Sequence, residues 1–126
     1  MARHNIVGKR GEELARDTLV AKGYAIVDMN VKLGNYELDI VAEKDGRIVF
    51  VEVKTRSSDD SDPLEAINRK KASYLCRAAN AYIKRYDIPH EVQLDVITIV
   101  GDPSDSGNPV VEHYPDAIRP PLRTGR

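Results

Sequence analysis

The chain has 126 residues, 41% of them hydrophobic, enough for one domain with a real core and too few for two independent ones. Nineteen Lys and Arg stand against 20 Asp and Glu, so the formal net charge is −1 and no global positive field draws in a polyanion. No apolar run approaches the ~20 residues needed to span a bilayer. The N-terminal Met1-Ala2-Arg3-His4-Asn5 is polar, and the lone Cys76 cannot close an internal disulfide, so the expectation is a cytoplasmic protein without a membrane partner.

A first helix is predicted over residues 6–22, with Asn5 as its N-cap and Gly23 in the left-handed position after the last turn. Residues 24–29 then read as a short strand. Two runs rich in β-branched and apolar residues, 36–43 and 47–54, flank Asp45-Gly46, the dipeptide type that most favours a two-residue hairpin turn. After a polar loop, Asp62-Pro63-Leu64-Glu65 supplies the cap, the first-turn proline and the acidic residue of a helix start. Leu64, Ile67, Leu75, Ala78, Ala79, Tyr82 and Tyr86 follow at helical spacing until Ile88-Pro89 ends the run. Residues 91–100 alternate as a further strand, and 110–114 form a weaker one. The expected fold is α/β: an αβββαβ core with a mixed sheet flanked by helices over residues 1–100, and an irregular extension over 101–126 that adds one edge strand.

A two-residue turn at Asp45-Gly46 pairs Lys44 with Arg47 and, continued in register, sets Asp39 opposite Glu52 and Glu37 opposite Lys54. One face of the hairpin then carries Glu37, Asp39, Val41, Phe50, Glu52 and Lys54, and the other carries Leu38, Ile40, Val49, Val51 and Val53. Two carboxylates directly opposite each other repel by ~0.2–1 kcal/mol, and by more as burial deepens. A divalent cation relieves that repulsion, because Mg²⁺ takes hard oxygen ligands, typically one or two carboxylates with waters and a phosphate. Lys54 projects from the same face and can stabilise charge or orient an attacking water, an arrangement suited to phosphodiester hydrolysis. The plainer alternative has Lys54 pairing with Glu37 and Glu52 on a solvated strand end.

The full string, Glu37-Leu38-Asp39-Ile40-Val41-Ala42, a Gly turn, and Val49-Phe50-Val51-Glu52-Val53-Lys54-Thr55-Arg56, resembles the PD-(D/E)xK nuclease motif and more closely the YraN family of uncharacterised bacterial proteins. The resemblance covers residues 8–99. It implies a restriction-endonuclease-like (tRNA-endonuclease-like) fold related to archaeal Holliday junction resolvases, with Asp39 and Glu52 binding Mg²⁺ or Mn²⁺ and Lys54 assisting the nucleophilic water. Leu38 stands where the motif's name has Pro, as in many members of the superfamily.

Resolvase-like members also use a glutamate of the first helix, and the resemblance aligns Gly11-Glu12 with their Gly-Glu pair. At about 100° per residue, Glu12 lies at the edge of the buried face and Glu13 nearly opposite it, so Glu12 is the catalytic candidate; the alternative is a surface ion pair with Arg16. Gly8 and Gly11 are expected to let the helix approach the sheet. Arg56 and Lys70 are the candidate phosphate-contacting residues, against the reading that they belong to solvated faces. His4, His90 and His113 lack ligand spacing, Cys76 reads as packed, Asp95 reads as a structural hydrogen-bond acceptor, and Tyr74, Tyr82 and Tyr86 read as partly buried core.

The function expected is a metal-dependent endonuclease acting on nucleic acid, DNA more than RNA, at branched or irregular structures. The alternative is a non-catalytic nucleic-acid-binding or protein-adaptor module that retains the fold. Resolvase-like relatives act as dimers, so a homodimer is an expectation carried by the resemblance alone; no apolar stripe in the sequence marks a dimer face.

Overall fold

The computed structural model describes residues 2–56, 68–101 and 109–119, with residues 2–9 as backbone only. The elements run α1 (Ala2–Ala21), β1 (Ala25–Leu33), β2 (Tyr36–Lys44), β3 (Arg47–Arg56), α2 (Arg69–Tyr86), β4 (Glu91–Val100) and β5 (Val110–Tyr114). The five strands form one mixed sheet in the order β1-β2-β3-β4-β5, antiparallel except for the parallel β3–β4 pair, whose chain connection includes α2. Among the described residues no helix is long and apolar enough to cross a membrane.

Chain-local chemistry explains most boundaries. Gly23 takes φ +93°, its N–H bonds Val20 O and the Tyr24 N–H bonds Leu19 O, which is the Schellman closure of α1. Asp45 and Gly46, at φ +52° and +78°, make the tight turn between β2 and β3, and Lys44 pairs with Arg47 as expected. Asn68 caps α2 by accepting the Lys71 N–H at 2.8 Å, and Asp87 ends it in the left-handed region at φ +53°.

Several boundaries differ from expectation. Helix α1 begins at Ala2, so Asn5 lies inside it instead of capping it. The Asp62-Pro63-Leu64-Glu65 start signal, Leu64 and Ile67 lie outside the described residues, and the described helix starts at Arg69 after an extended Asn68 (ψ 179°). Strand β1 continues four residues beyond Met29. A bulge between Ile26 and Asp28 and a left-handed Asn30, φ +54°, interrupt its alternation, which hid its length from a period-of-two reading. Tyr86 is exposed, whereas Tyr82 is buried.

The sheet is covered on both faces. Ala15 and Leu19 of α1 pack on Ile40, Ala42, Val49, Val51, Ile97 and Ile99, whereas Leu75, Ala78, Ala79 and Tyr82 of α2 pack on Val41, Ile48, Phe50, Leu94 and Val96. Double coverage is why β3 reads as an unbroken apolar run over Ile48–Val51. A Cβ placed on Gly11 would collide with Thr55 Oγ1, so Gly11 is the point at which α1 comes down on the far end of β3.

Asp95 ties β4 to its surroundings. It is 1% exposed and accepts from Tyr24 Oη at 3.2 Å, Gln93 Nε2 at 2.9 Å, the Asp116 N–H at 2.9 Å and His113 Nε2 at 2.7 Å. Burial pushes its carboxyl upward, but those donors outweigh burial and hold it below the ordinary value. Its predicted structural role stands.

Two expectations follow. Gly11→Ala should cost about 1–3 kcal/mol in urea unfolding, and Thr55→Ala placed with it should return most of that loss; a double mutant no more stable than the single one would show that the clash lies elsewhere. Asp95→Ala leaves several buried donors without an acceptor and should cost about 3 kcal/mol or more, whereas a change within 0.5 kcal/mol would refute the anchoring role.

Candidate functional site

The β2–β3 ladder is regular from Lys44↔Arg47 to Ile40↔Val51 and then opens. In that register the next bond would join Leu38 and Val53, but the Val53 N–H donates instead to Asp39 Oδ2 at 2.9 Å. Beyond this point β2 stays with β1, through Val31↔Leu38, Lys32↔Glu37 and Leu33↔Tyr36, while β3 stays with β4 as far as Arg56↔Val100. The sheet therefore forks at Asp39. The fork also corrects the expected hairpin faces: Leu38 packs in the α2-side core with Val41 and Phe50, not with Ile40 in the α1-side core. Neither Asp39↔Glu52 nor Glu37↔Lys54 is a ladder pair, so the expected register holds only from the turn to Ile40↔Val51.

Helix α2 fills in what the fork leaves open. The Glu37 N–H donates to Tyr74 Oη at 2.8 Å, the Tyr74 and Tyr36 rings meet edge to face at 5.5 Å, and Lys71 Nζ lies 3.3 Å from Glu52 Oε2. Asp39 and Glu52 share a small pocket with Leu38, Phe50, Leu75 and Ile118.

Charge is concentrated here. The Asp39 carboxyl is pushed up to about 7, first by burial, then by the Glu52 charge, with Glu12 adding to it and a hydrogen bond shared with Glu52 favouring its protonated form; the Val53 N–H pulls the other way without prevailing. Glu52 is only 7% exposed. Glu12 is raised by burial and by Glu37 and Glu52, and a hydrogen bond with the Asn30 side chain opposes the rise. The surface pair expected as the alternative for Glu12 is not seen: Arg16 pairs with Asp17 at 3.0 Å, and Glu13 points away to Arg10 at 2.8 Å.

Three of the sequence candidates thus meet: Asp39, Glu52 and Glu12 sense one another's charge. Lys54 is half-buried, two residues along β3 from Glu52, and makes no ion pair among the described residues, so the expected pairing with Glu37 and Glu52 is absent. Arg56 continues that strand and its carbonyl accepts the Gly101 N–H at 2.7 Å. Lys70 is exposed on the first turn of α2.

The sequence does not single out Asn30, and it marks Tyr74 only as partly buried core and Lys71 only as one of three cations at the start of α2. Lys71 was recoverable, since it precedes buried Leu75 by one helical turn whereas Lys70 does not. No local signal marked Asn30 beyond the tolerance of asparagine for the left-handed region. Cys76, half-buried with its thiol pushed up by burial, lacks the character of a nucleophile, and His90 and His113 are engaged by Glu43 and Asp95.

Among the described residues no three His, Cys, Asp or Glu side chains form a ready-made metal cage. Two buried carboxylate groups set against each other nevertheless match the usual protein contribution to a Mg²⁺ or Mn²⁺ site, where waters and a substrate phosphate complete the shell. Asp39 and Glu52 fit that role.

The profile of the uncharacterised protein family UPF0102 matches residues 11–99, a span that includes Glu12, Asp39, Glu52, Lys54 and Lys71. The chain belongs to that family. A UPF0102 protein of Bacteroides fragilis is 43% identical over 123 residues, covering 97% of this chain and 99% of its own length. One from Bacteroides thetaiotaomicron has the same identity and coverage, and one from Flavobacterium psychrophilum is 37% identical over 119 residues, covering 94% of this chain and 98% of its own. The YraN-type resemblance of the sequence is thereby shown.

The Asp39 shift has a definite sign. A carboxyl that titrates near 7 when folded and at its ordinary 3.8 when unfolded makes the folded state bind more protons between those values, so its contribution to stability falls as pH rises through that window. Asp39→Asn, whose amide oxygen can still accept the Val53 N–H, should match wild type near pH 4 and exceed it increasingly up to about pH 7, reaching at most ~4 kcal/mol at pH 8. Thermal melts across that range check it, and a pH-independent difference would refute the assignment.

Proposed function

We propose that this chain is a Mg²⁺- or Mn²⁺-dependent endonuclease with a restriction-endonuclease-like fold, hydrolysing phosphodiesters of DNA in preference to RNA, with branched or irregular DNA as its substrate. The observation that supports this most is the Asp39–Glu52 pair: two carboxylates within hydrogen-bonding reach at a sheet fork, whose mutual repulsion a divalent cation would relieve. An amine on the same strand, Lys54, completes the set.

Asp39 and Glu52 would hold the cation, and Glu12, hydrogen-bonded to Asn30, would bring a third carboxylate to its margin. Bound there, the cation would polarise the phosphodiester and acidify a water. Lys54 would orient that water and stabilise charge developing on the phosphoryl oxygens as the P–O bond to the leaving strand breaks, giving a phosphate monoester and a hydroxyl. Arg56 and Lys70 would hold flanking phosphates without reading bases. A homodimer would present two such sites to a two-fold-symmetric junction.

The balanced net charge of −1 favours the second reading, a binding or adaptor module that keeps the fold without cleaving. Purified protein incubated with linear, nicked and four-way-junction DNA and Mn²⁺ discriminates the two. Cleavage should fall at least 100-fold in Asp39→Ala and in Lys54→Ala. Equal cleavage by all three proteins would mean a contaminant, and tight binding of a junction without cleavage would favour the adaptor.

A further inference from the structure

Glu52 needs a compensating charge, because it is 7% exposed and faces the Asp39 carboxyl. The compensator in this structure is Lys71, at 3.3 Å, and not the strand's own Lys54. Lys71 occupies the first turn of α2 behind Arg69 and Lys70, with no acidic residue in that turn, so neither the helix dipole nor its neighbours favour a cation there. What holds it are the Glu52 carboxylate and the face of the Tyr74 ring, 5.0 Å from Nζ. That ring is fixed in turn by the Glu37 N–H. The Lys71 side chain remains 36% exposed, so its amine has room to turn outward.

We infer that Lys71 is a displaceable counter-ion: it neutralises Glu52 in the metal-free protein, and a divalent cation taking Glu52 releases the ammonium to a phosphate of the bound nucleic acid. This deepens the proposed function and rests on its metal site. The two states share one balance of charge. Without the cation, the lysine keeps two adjacent carboxylates from facing each other uncompensated; with it, an ammonium still at Glu52 would repel the metal, and the adjacent polyanion is the better partner. The two amines then have separate tasks, Lys54 toward the water and Lys71 toward the substrate.

Titration calorimetry with Mn²⁺ alone tests the first half. Lys71→Met should bind Mn²⁺ about fivefold more tightly than wild type, the factor equivalent to the ~1 kcal/mol of a partly exposed ion pair, because the ion no longer competes with the amine. Lys71→Arg should retain the weaker wild-type affinity, and Lys70→Met should leave it unchanged. Fluorescence anisotropy with junction DNA in saturating Ca²⁺ tests the second half, where Lys71→Met should lose affinity severalfold. Mn²⁺ affinity equal to or below wild type in Lys71→Met, or an equal gain in Lys70→Met, would overturn the counter-ion role while leaving the metal site standing. Tighter Mn²⁺ binding with unchanged DNA affinity would overturn the transfer to phosphate. Absence of Mn²⁺ binding in every variant would remove the metal site and this inference with it.

Discussion

Two carboxylates come within hydrogen-bonding reach of each other because a backbone ladder stops and a side chain takes its place. Asp39 Oδ2 accepts the Val53 N–H that the next rung would have used, which frees the end of β2 to leave β3 while keeping Asp39 beside Glu52. Without that substitution the fork would leave a part-buried N–H unpaired, at a cost of about 1 kcal/mol. The same atom that holds the fork open therefore supplies the charge that makes the site, and the Asp39 carboxyl, pushed up to about 7, records the electrostatic strain of the arrangement.

Both helices serve the fork. Helix α2 sends Tyr74 to the Glu37 N–H and Lys71 to Glu52, so the polar groups exposed by the opening are matched from one face. Helix α1 approaches from the other face at Gly11, where only the missing side chain leaves room for Thr55, and the next residue, Glu12, is thereby delivered to the same charges. Within β4, Asp95 collects donors from the residues after α1, from β4, from β5 and from the turn that follows, tying the remaining edge of the sheet together. The structural anchor and the candidate site thus draw on separate buried carboxylates: one amply donated to and held low, the other held high by burial first and by like charge second.

Membership of UPF0102 over residues 11–99 places the fork, the acids and both lysines within the part of the chain that defines the family. Nothing in that family name specifies a reaction, so the proposed chemistry rests on the donor set: two carboxylates, a nearby third, and two amines, of which Lys71 pairs with Glu52.

The sequence by itself determined the strand and helix order, the Asp45-Gly46 turn with the first rungs that follow it, the end of α1 at Gly23, and the limits of β4 and β5, because each follows from periodicity or turn chemistry acting over a few residues; it brought Asp39 near Glu52, though not as the ladder pair that a continued register predicts. It also separated Glu12 from Glu13 by helical angle alone. Only the tertiary structure decided that the ladder breaks at Asp39, that Leu38 changes sides, that Asn30 interrupts β1 and meets Glu12, and that Lys71 rather than a strand lysine answers Glu52. Those features depend on which elements lie against one another across distances along the chain that no local pattern encodes. A regular register extrapolates a ladder indefinitely, whereas packing and charge determine where it ends.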